Sequence, residues 1–284
     1  GYEPAEVPIG HVTNGVHLPT WVKPEMMELI ERVSGGADLA VADTWSNPDA
    51  VPNEKIWEVR NKLRADLVEV ARDATFESWA TRGHADAQLG WTRRVLDPEV
   101  LTIGFARRVS TYKRLTLMLR NPERLRSILL NEERPVQFVI AGKAHPHDMG
   151  GKKLMQEIVQ FADQAGVRDR FLFLPDYDIN LASYLVAGTD VWLNNPVRPQ
   201  EASGTSGMKA VMNGGLTLSI SDGWWDEMPQ EETGWTVPTV ETHDLDYRDH
   251  LESQALYDIL ENEVAPLFYD RDDNDVPQGW MDLV

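Results

Sequence analysis

The sequence predicts an α/β fold with a doubly wound, Rossmann-like parallel sheet, and two observations carry that prediction. Short, fully apolar segments recur between residues 98 and 225, and each is followed by a segment whose apolar residues have helical spacing. Strands that are apolar on both faces are typical of a parallel sheet covered by helices on both sides. Such folds bind ligands at the carboxyl ends of their strands, so the residues that follow each strand are the first candidates for a site.

Five strands and the helices between them are expected in this core. The strands are expected at residues 101–106, 136–141, 171–174, 190–194 and 216–220. The helices between them are expected at residues 112–130, 152–165, 180–187 and 205–213. Because parallel neighbours need a crossover connection, which is usually a helix, this alternation predicts a sheet of five or more parallel strands.

Two segments of mostly helical pattern flank the core. Residues 1–97 include a long predicted helix at 54–80, and residues 226–284 include another at 251–268. One face of the first helix carries, at spacings of three and four, Ile56, Val59, Leu63, Leu67 and Val70. We therefore divide the chain into an N-terminal helical segment, the core at 98–225 and a C-terminal helical extension.

Composition excludes several classes of protein. The 284 residues carry a formal net charge of −19, which disfavours nucleic acid and anionic membranes as partners. The chain has no cysteine, which rules out disulfides and thiolate metal sites, and no apolar run approaches the ~20 residues of a membrane span. The acidic turn at residues 269–279 lacks the spacing of an EF-hand, so no metal site is expected. We expect a cytoplasmic protein.

The segment EASGTSGMK, residues 201–209, is the strongest candidate for a site. Glu201 supplies a carboxylate, and small residues at the start of the following helix leave backbone N–H groups free to bind an anion such as phosphate. These small residues are Gly204, Thr205, Ser206 and Gly207. Lys209, within that helix, could neutralise a phosphate or form an imine with an aldehyde cofactor. The alternative is a glycine-rich turn with a surface lysine.

A basic cluster follows the first predicted strand, in the segment ARRVSTYKR at residues 106–114. Its four cations are Arg107, Arg108, Lys113 and Arg114. In so acidic a chain, cations gathered at the end of a strand indicate an anion site. The alternative is a basic helix start on the surface, although cations there oppose the helix dipole.

A third segment, HVTNGVHLPTW at residues 11–21, mixes threonine, asparagine, two histidines and tryptophan around a glycine turn. Taken alone it favours an ordered loop over a site.

Together these segments resemble the α-glucan phosphorylases, the family of the glycogen, starch and maltodextrin enzymes. EASGTSGMK resembles the family's cofactor segment, and ARRVSTYKR resembles the segment that holds the substrate phosphate. HVTNGVHLPTW is similar to the family's sugar-binding Thr-Asn-Gly segment, and PDYDINLA, residues 175–182, resembles the segment whose tyrosine lies near the cofactor. The resemblance runs from about residue 12 to the end of the chain.

The resemblance implies a role for each candidate residue. Pyridoxal 5′-phosphate would be the cofactor, held as a Schiff base by Lys209. Further cofactor contacts are expected from Tyr177, Gly204, Thr205, Ser206, Gly207 and Arg107. Contacts with the sugar are expected from Asn14, Glu201, Ala202, Ser203 and Gly204. The catalytic residues are expected to be Arg108, Lys113 and Lys209.

The implied reaction is phosphorolysis, in which inorganic phosphate cleaves the terminal α-1,4 bond of a glucan and gives glucose 1-phosphate with retention. In the family, the cofactor's phosphate lies against the substrate phosphate and relays a proton. Two phosphates in contact need cations around them, and Arg108 and Lys113 are expected to supply that charge. Glu201 is expected to bind a sugar hydroxyl and not to act as the nucleophile.

Three positions differ from the longer members of the family. Ser110 and Thr111 stand where many of those members have His-Glu, and Asp178 stands where they have arginine. The sequence PVRPQEASGTSGMKAVMNGG and the pair Trp224-Trp225 resemble a shorter prokaryotic branch. The regulatory sites of the animal enzymes are therefore not expected here.

Members of the family have two Rossmann-like lobes with the active site between them, and this chain resembles only the second, C-terminal catalytic lobe. We therefore expect the complete protein to have an N-terminal lobe that this chain lacks, and to form a homodimer. We expect the chain alone to be inactive. One alternative is a nucleotide-sugar-dependent glucosyltransferase of the glycogen-synthase type, which has no need of a lysine eight residues after the glutamate. The other alternative is a non-catalytic glucan-binding lobe.

Overall fold

A computed structural model describes residues 7, 10–39, 50–109, 111–228 and 232–284, and within these residues six strands form one sheet. The strands are β1 (Leu101–Arg108), β2 (Val136–Lys143), β3 (Phe171–Leu174), β4 (Val191–Asn194), β5 (Leu216–Ile220) and β6 (Gly234–Val237). Every neighbouring pair is parallel, and the order across the sheet is β3-β2-β1-β4-β5-β6. This is the strand order of a doubly wound Rossmann sheet, which confirms the predicted α/β fold.

The sheet has a sixth strand beyond residue 225, in the segment where only helical structure was expected. β6 pairs with β5, and it is only four residues long. It begins at Gly234, where a Cβ atom would lie 2.1 Å from the carbonyl oxygen of Thr217. A strand that starts on a glycine in close contact with its neighbour has no apolar run to reveal it in the sequence. The five expected strands are all present.

Ten α-helices accompany the sheet in the parts of the chain that the structure describes. They are α1 (Leu18–Trp21), α2 (Pro24–Ser34), α3 (Asn53–Thr81), α4 (Pro122–Leu129), α5 (Met149–Gln164), α6 (Ile179–Gly188), α7 (Thr205–Val211), α8 (Leu245–Ile259), α9 (Ala265–Tyr269) and α10 (Gln278–Met281). A π-helical turn, Leu260–Val264, joins α8 to α9, so the C-terminal helix predicted at 251–268 is one continuous rod. It starts earlier than expected because the side chain of Asp244 caps α8, accepting the N–H of Tyr247 at 3.0 Å.

Alternate residues of the strands enter two hydrophobic clusters, one on each face of the sheet. Ile103, Phe105 and Phe138 belong to the cluster covered by α4, α5, α8 and α9. Val139 and Trp192 belong to the cluster covered by α3, α6 and α7. Helices thus cover both faces, which is why the strands are apolar throughout.

The helix expected at residues 112–130 is interrupted, which corrects that prediction. Two short 3₁₀ turns, Thr111–Lys113 and Leu117–Leu119, precede α4. Arg114 has a φ of +47°, and its guanidinium donates to the carbonyl oxygens of Asn195 and Pro196 at 2.9 and 2.6 Å. The chain makes these contacts with the loop after β4 instead of continuing as a regular helix. They place the basic segment, residues 106–114, beside that loop.

The long helix α3 lies close against α6. A Cβ atom on Gly188 would stand 2.4 Å from the Cβ of Leu67, so only glycine permits this approach. Arg64 and Arg60 of the same helix reach the buried carboxylate of Asp190 at 2.6 and 3.5 Å. The N-terminal segment is therefore joined to the sheet by both apolar packing and buried charge.

Among the residues that the structure describes, no helix combines the length and the apolar character needed to cross a bilayer.

Candidate active site

Two of the predicted motifs meet at the point where the sheet reverses its winding. β1 and β4 are neighbours in the sheet, although they are far apart in sequence. In a doubly wound fold, the crevice at the carboxyl ends of such a pair is where ligands bind. Arg107 and Arg108 end β1, and the 201–209 segment follows β4. The motifs therefore flank one crevice.

Glu201 lies at the centre of a cation cluster in this crevice. Its Oε2 atom lies 2.6 Å from Lys113 Nζ and 3.1 Å from Arg107 Nη1. Glu201 and Arg107 are each 7% exposed, and the side chain of Lys113 is 18% exposed. Because two cations share one carboxylate, the cluster keeps a net positive charge and can accept an anion.

Arg107 has hydrogen-bonding capacity that Glu201 does not use. Its Nε and Nη2 atoms are buried and find no acceptor in the described ranges of the chain. Burial lowers the pKa of Arg107, and the carboxylate of Glu201 opposes that change. Buried donors without acceptors are costly, so these N–H groups mark a position where an anionic group would be stabilised.

The start of α7 presents further donors to the same crevice. Gly204 has a φ of +84°, in the left-handed region that favours glycine, and turns the chain into the helix. The N–H groups of Thr205 and Ser206 have no acceptor among the residues whose positions are described. Gly207 lies against the indole of Trp224, where a Cβ would stand 2.9 Å from the ring.

Lys209 lies against an aromatic ring from the N-terminal segment. Its Nζ is 3.6 Å from the centroid of the Trp21 ring, and burial lowers the pKa of its amine. Asn213 holds the two segments together, since its Nδ2 donates to the carbonyl oxygens of both Trp21 and Lys209 at 2.9 Å. Its Oδ1 accepts the N–H of Lys23 at 3.0 Å.

Tyr177 is half-buried and packs against the same hydrophobic cluster as Trp21. Burial raises the pKa of its phenol, and the positive charge of Arg107 opposes that change. Ser203, another predicted site residue, is buried, and its Oγ has no hydrogen-bond partner within the described part of the chain.

Three predicted site residues, Arg108, Asn14 and Ala202, are exposed. Within the ranges that the structure covers, no side-chain hydrogen bond is made by Arg108 or Asn14. The Asn14 segment is nevertheless tied to the turn after β5, because Thr13 Oγ1 donates to Glu227 Oε1 at 2.5 Å. The structure thus brings Arg107, Lys113 and Glu201 into contact but leaves Arg108 and Asn14 at the surface.

Four residues of the site were not assigned a role from the sequence: Trp21, Asn213, Asp222 and Trp224. Asp222 is 7% exposed and accepts the N–H of Glu201 at 2.9 Å, and burial raises the pKa of its carboxyl. A signal was available for Asp222, since it follows the strand predicted at 216–220 and therefore lies at the same edge of the sheet.

Of the positions that differ from longer phosphorylases, Asp178 has a clear structural role. Its carboxylate accepts the N–H of Leu181 at 2.8 Å and caps α6. Ser110 lies outside the described residues.

Comparison with known proteins agrees with this geometry. Residues 54–234 match the family model described as carbohydrate phosphorylase. The whole chain is 53% identical to a glycogen phosphorylase of Mycobacterium tuberculosis and 44% identical to a glycogen phosphorylase of Aquifex aeolicus. It is 38% identical, over 94% of its length, to a maltodextrin phosphorylase of Thermococcus litoralis.

The chain covers only part of these relatives. It spans 33% of the Mycobacterium protein, 41% of the Aquifex protein and 32% of the Thermococcus protein. The match nevertheless includes the strands β1 to β5, both flanks of the crevice and the helix that carries Lys209. By sequence, fold and site, the chain belongs to the carbohydrate phosphorylase family.

Proposed function

We propose that this chain is the cofactor- and phosphate-binding lobe of an α-glucan phosphorylase. The complete protein would use inorganic phosphate to cleave terminal α-1,4 bonds of glycogen, starch or maltodextrin and release glucose 1-phosphate. The observation that carries the proposal is the cation cluster of Arg107 and Lys113 on Glu201, at the switch point of the sheet. The names of the relatives, glycogen and maltodextrin phosphorylase, support the choice of reaction.

The residues of the crevice fit pyridoxal 5′-phosphate. Lys209 supplies a partly buried amine of lowered pKa beside an aromatic face, as imine chemistry requires. Arg107 and the N–H groups of Thr205 and Ser206 supply donors for a phosphate. The remaining proposed contacts come from Tyr177, Gly204 and Gly207. When bound, the cofactor would contribute a phosphate group able to exchange a proton beside the substrate.

The substrate phosphate is proposed to bind Lys113 and Arg108. Lys113 is the more exposed of the two cations on Glu201, so it can turn toward a phosphate while Arg107 keeps the carboxylate. Arg108 is exposed at the end of β1 and can add a second positive charge. A developing negative charge beside fixed cations is the kind of electrostatic stabilisation that lowers reaction barriers most.

The sugar is proposed to bind Glu201, Ala202, Ser203, Gly204 and Asn14. The side chain of Glu201 is held by Arg107 and Lys113, and its backbone N–H is held by Asp222. Its carboxylate is therefore oriented before a sugar binds and can accept a hydrogen bond from a hydroxyl group. We assign it to sugar binding and not to nucleophilic attack.

The chain's short coverage of its relatives supports a second, N-terminal lobe in the complete protein. We propose that this lobe closes the crevice, that the complete protein is a homodimer, and that it works in the cytoplasm. Light scattering of the purified complete protein tests the dimer directly.

The test of the function is covalent labelling of the complete protein. Reduction with borohydride followed by peptide mass spectrometry should find the pyridoxyl group on Lys209, and Lys209→Ala should abolish it. Lys143→Ala is the matched control, since Lys143 ends β2 at the same edge of the sheet and is exposed. We expect that variant to keep the full label.

Label on Lys143, or no label on folded, cofactor-supplemented protein, would contradict the phosphorylase assignment. Binding of a nucleotide sugar in that case would favour the glucosyltransferase.

A further inference from the structure

The turn that follows β5 is fastened to the loop of Glu201 by two hydrogen bonds. The N–H of Glu201 donates to Asp222 Oδ2 at 2.9 Å, and the N–H of Trp224 donates to the carbonyl oxygen of Ser203 at 2.9 Å. The other carboxylate oxygen of Asp222 accepts the N–H of Gly223 at 3.0 Å. One carboxylate thus fixes both its own turn and the backbone of Glu201.

The shapes of the two segments leave little room between them. A Cβ on Gly223, whose φ is +60°, would lie 2.5 Å from the carbonyl oxygen of Ser203. The indole of Trp224 lies against Gly207, where a Cβ would stand 2.9 Å from the ring. The turn is therefore packed closely against residues 201–207 and supports them.

The last residue of the same turn, Glu227, contacts the N-terminal segment that is expected to bind the sugar. Thr13 Oγ1 donates to Glu227 Oε1 at 2.5 Å, and His11 Nε2 lies 3.9 Å from the same oxygen. Asn14 adjoins Thr13, so its backbone is restrained through Glu227. One six-residue turn, Asp222–Glu227, therefore contacts both segments expected to bind the sugar.

The lysine expected to hold the cofactor has contacts that do not involve this turn. Lys209 lies on Trp21, which Asn213 fixes in place. Arg107 extends from β1 itself, and Lys113 lies in a 3₁₀ turn after that strand. A change in the turn should therefore act first on Glu201 and Asn14. It should reach Arg107 and Lys113 only through the Glu201 carboxylate that they share, and it should leave Lys209 in place.

We propose that the turn Asp222–Glu227 positions the sugar subsite, with Asp222 fixing Glu201 and Glu227 fixing the Thr13–Asn14 segment. This inference rests on the proposed function, because it assigns Glu201 and Asn14 to the sugar. Asp222 and Glu227 are positioning residues, since each acts through a neighbour.

The experiment uses the complete, cofactor-loaded enzyme and the variants Asp222→Asn and Glu227→Ala. The N–H groups of Glu201 and Gly223 bond different oxygens of Asp222. An asparagine has an NH2 group in place of one of these oxygens, so one of the two hydrogen bonds is lost. We expect the KM for maltoheptaose to rise about tenfold or more in Asp222→Asn. The KM for phosphate should rise less, because its proposed ligand Lys113 also bonds Glu201, and the amount of label on Lys209 should stay at its wild-type value. Glu227→Ala removes the acceptor of Thr13 and should raise the KM for maltoheptaose without changing the KM for phosphate.

Asp226→Asn is the matched control. Asp226 lies in the same turn, but it bonds Ser221 and Arg198 and touches neither sugar segment. It should leave both KM values unchanged. Glu227 is about half exposed, so Glu227→Ala still tests the inference if Asp222→Asn fails to fold.

Three results would overturn the positioning role: wild-type constants in both variants, an equal rise in both KM values, or loss of cofactor from a folded variant. A complete wild-type enzyme without phosphorolysis overturns the proposed function, and this inference with it.

Discussion

Lys209 is held in surroundings that favour its uncharged form. Burial lowers the pKa of its amine from the ordinary value of 10.5, and only the neutral amine attacks an aldehyde. We therefore predict that covalent capture of pyridoxal 5′-phosphate by the cofactor-free complete protein rises with pH and reaches half its maximum below the midpoint of a free lysine derivative. Stopped-flow absorbance across a pH series measures both midpoints. Equal midpoints would show that burial does not activate Lys209.

Arg108 offers an exposed charge at the end of β1, and we predict that Arg108→Ala weakens the use of phosphate selectively. A hydrogen bond to a charged group is worth about 1.5–3 kcal/mol, so the KM for phosphate should rise roughly 10- to 100-fold while the KM for glucan changes little. Initial rates with each substrate varied in turn give the two constants.

Arg93→Ala is the control for that substitution, because Arg93 is exposed and precedes the opposite end of β1. An Arg108→Ala enzyme with an unchanged phosphate KM would remove Arg108 from the site.

At the scale of residues, the sequence predicts a site residue well when it stands in a dense motif after a strand. Glu201, Arg107 and Lys113 do so, and they meet in the structure. Asp222 and Asn213 could not be found that way, because their partners are distant in sequence and a lone acid or amide in a loop is common. Only the folded chain shows that Asp222 serves Glu201.

The long helix α3 is stabilised by its buried face against α6, and Leu67 is fully buried in that contact. We predict that Leu67→Ala lowers the free energy of unfolding of this chain by about 2–5 kcal/mol, because close-packed helices cannot collapse around the cavity. Urea denaturation followed by circular dichroism measures the change. Glu69→Ala, exposed on the same helix, should alter stability by less than about 0.5 kcal/mol. Similar losses in both variants would contradict this account of the packing.

Elements with strong periodicity were predictable, and those decided by tertiary contacts were not. The pattern of α3 gave its ends within one residue, since 54–80 was expected and Asn53–Thr81 is observed. The apolar spacing at 112–130 is equally helical, yet the chain there breaks into short turns. The break follows from Arg114, whose guanidinium bonds the loop after β4. Periodicity reports local preference and carries no information about such a partner.

For the whole molecule, we predict that the chain alone does not catalyse phosphorolysis. At the switch point, Lys113 is partly exposed and Arg108 is exposed. Transfer of a glucosyl group to phosphate needs water to be excluded, because water would compete with phosphate for the sugar. Release of glucose 1-phosphate from maltoheptaose should be undetectable with the chain and clear with the complete protein at equal concentration. Turnover by the chain alone would mean that every essential group lies within these 284 residues.

The arginines that α3 sends to Asp190 bear on how this protein can be divided. Asp190 is 1% exposed, and its carboxylate accepts hydrogen bonds from Arg64, Arg60 and the N–H of Thr102. A chain cut before residue 98 would retain this carboxylate and lose both cations, and breaking a buried ion pair costs about 3–5 kcal/mol. Changes of pattern along the sequence are therefore poor guides to where to cut. A design that transplants the proposed cofactor crevice must include the first long helix, because this helix supplies the counter-ions of a buried carboxylate as well as packing against the sheet.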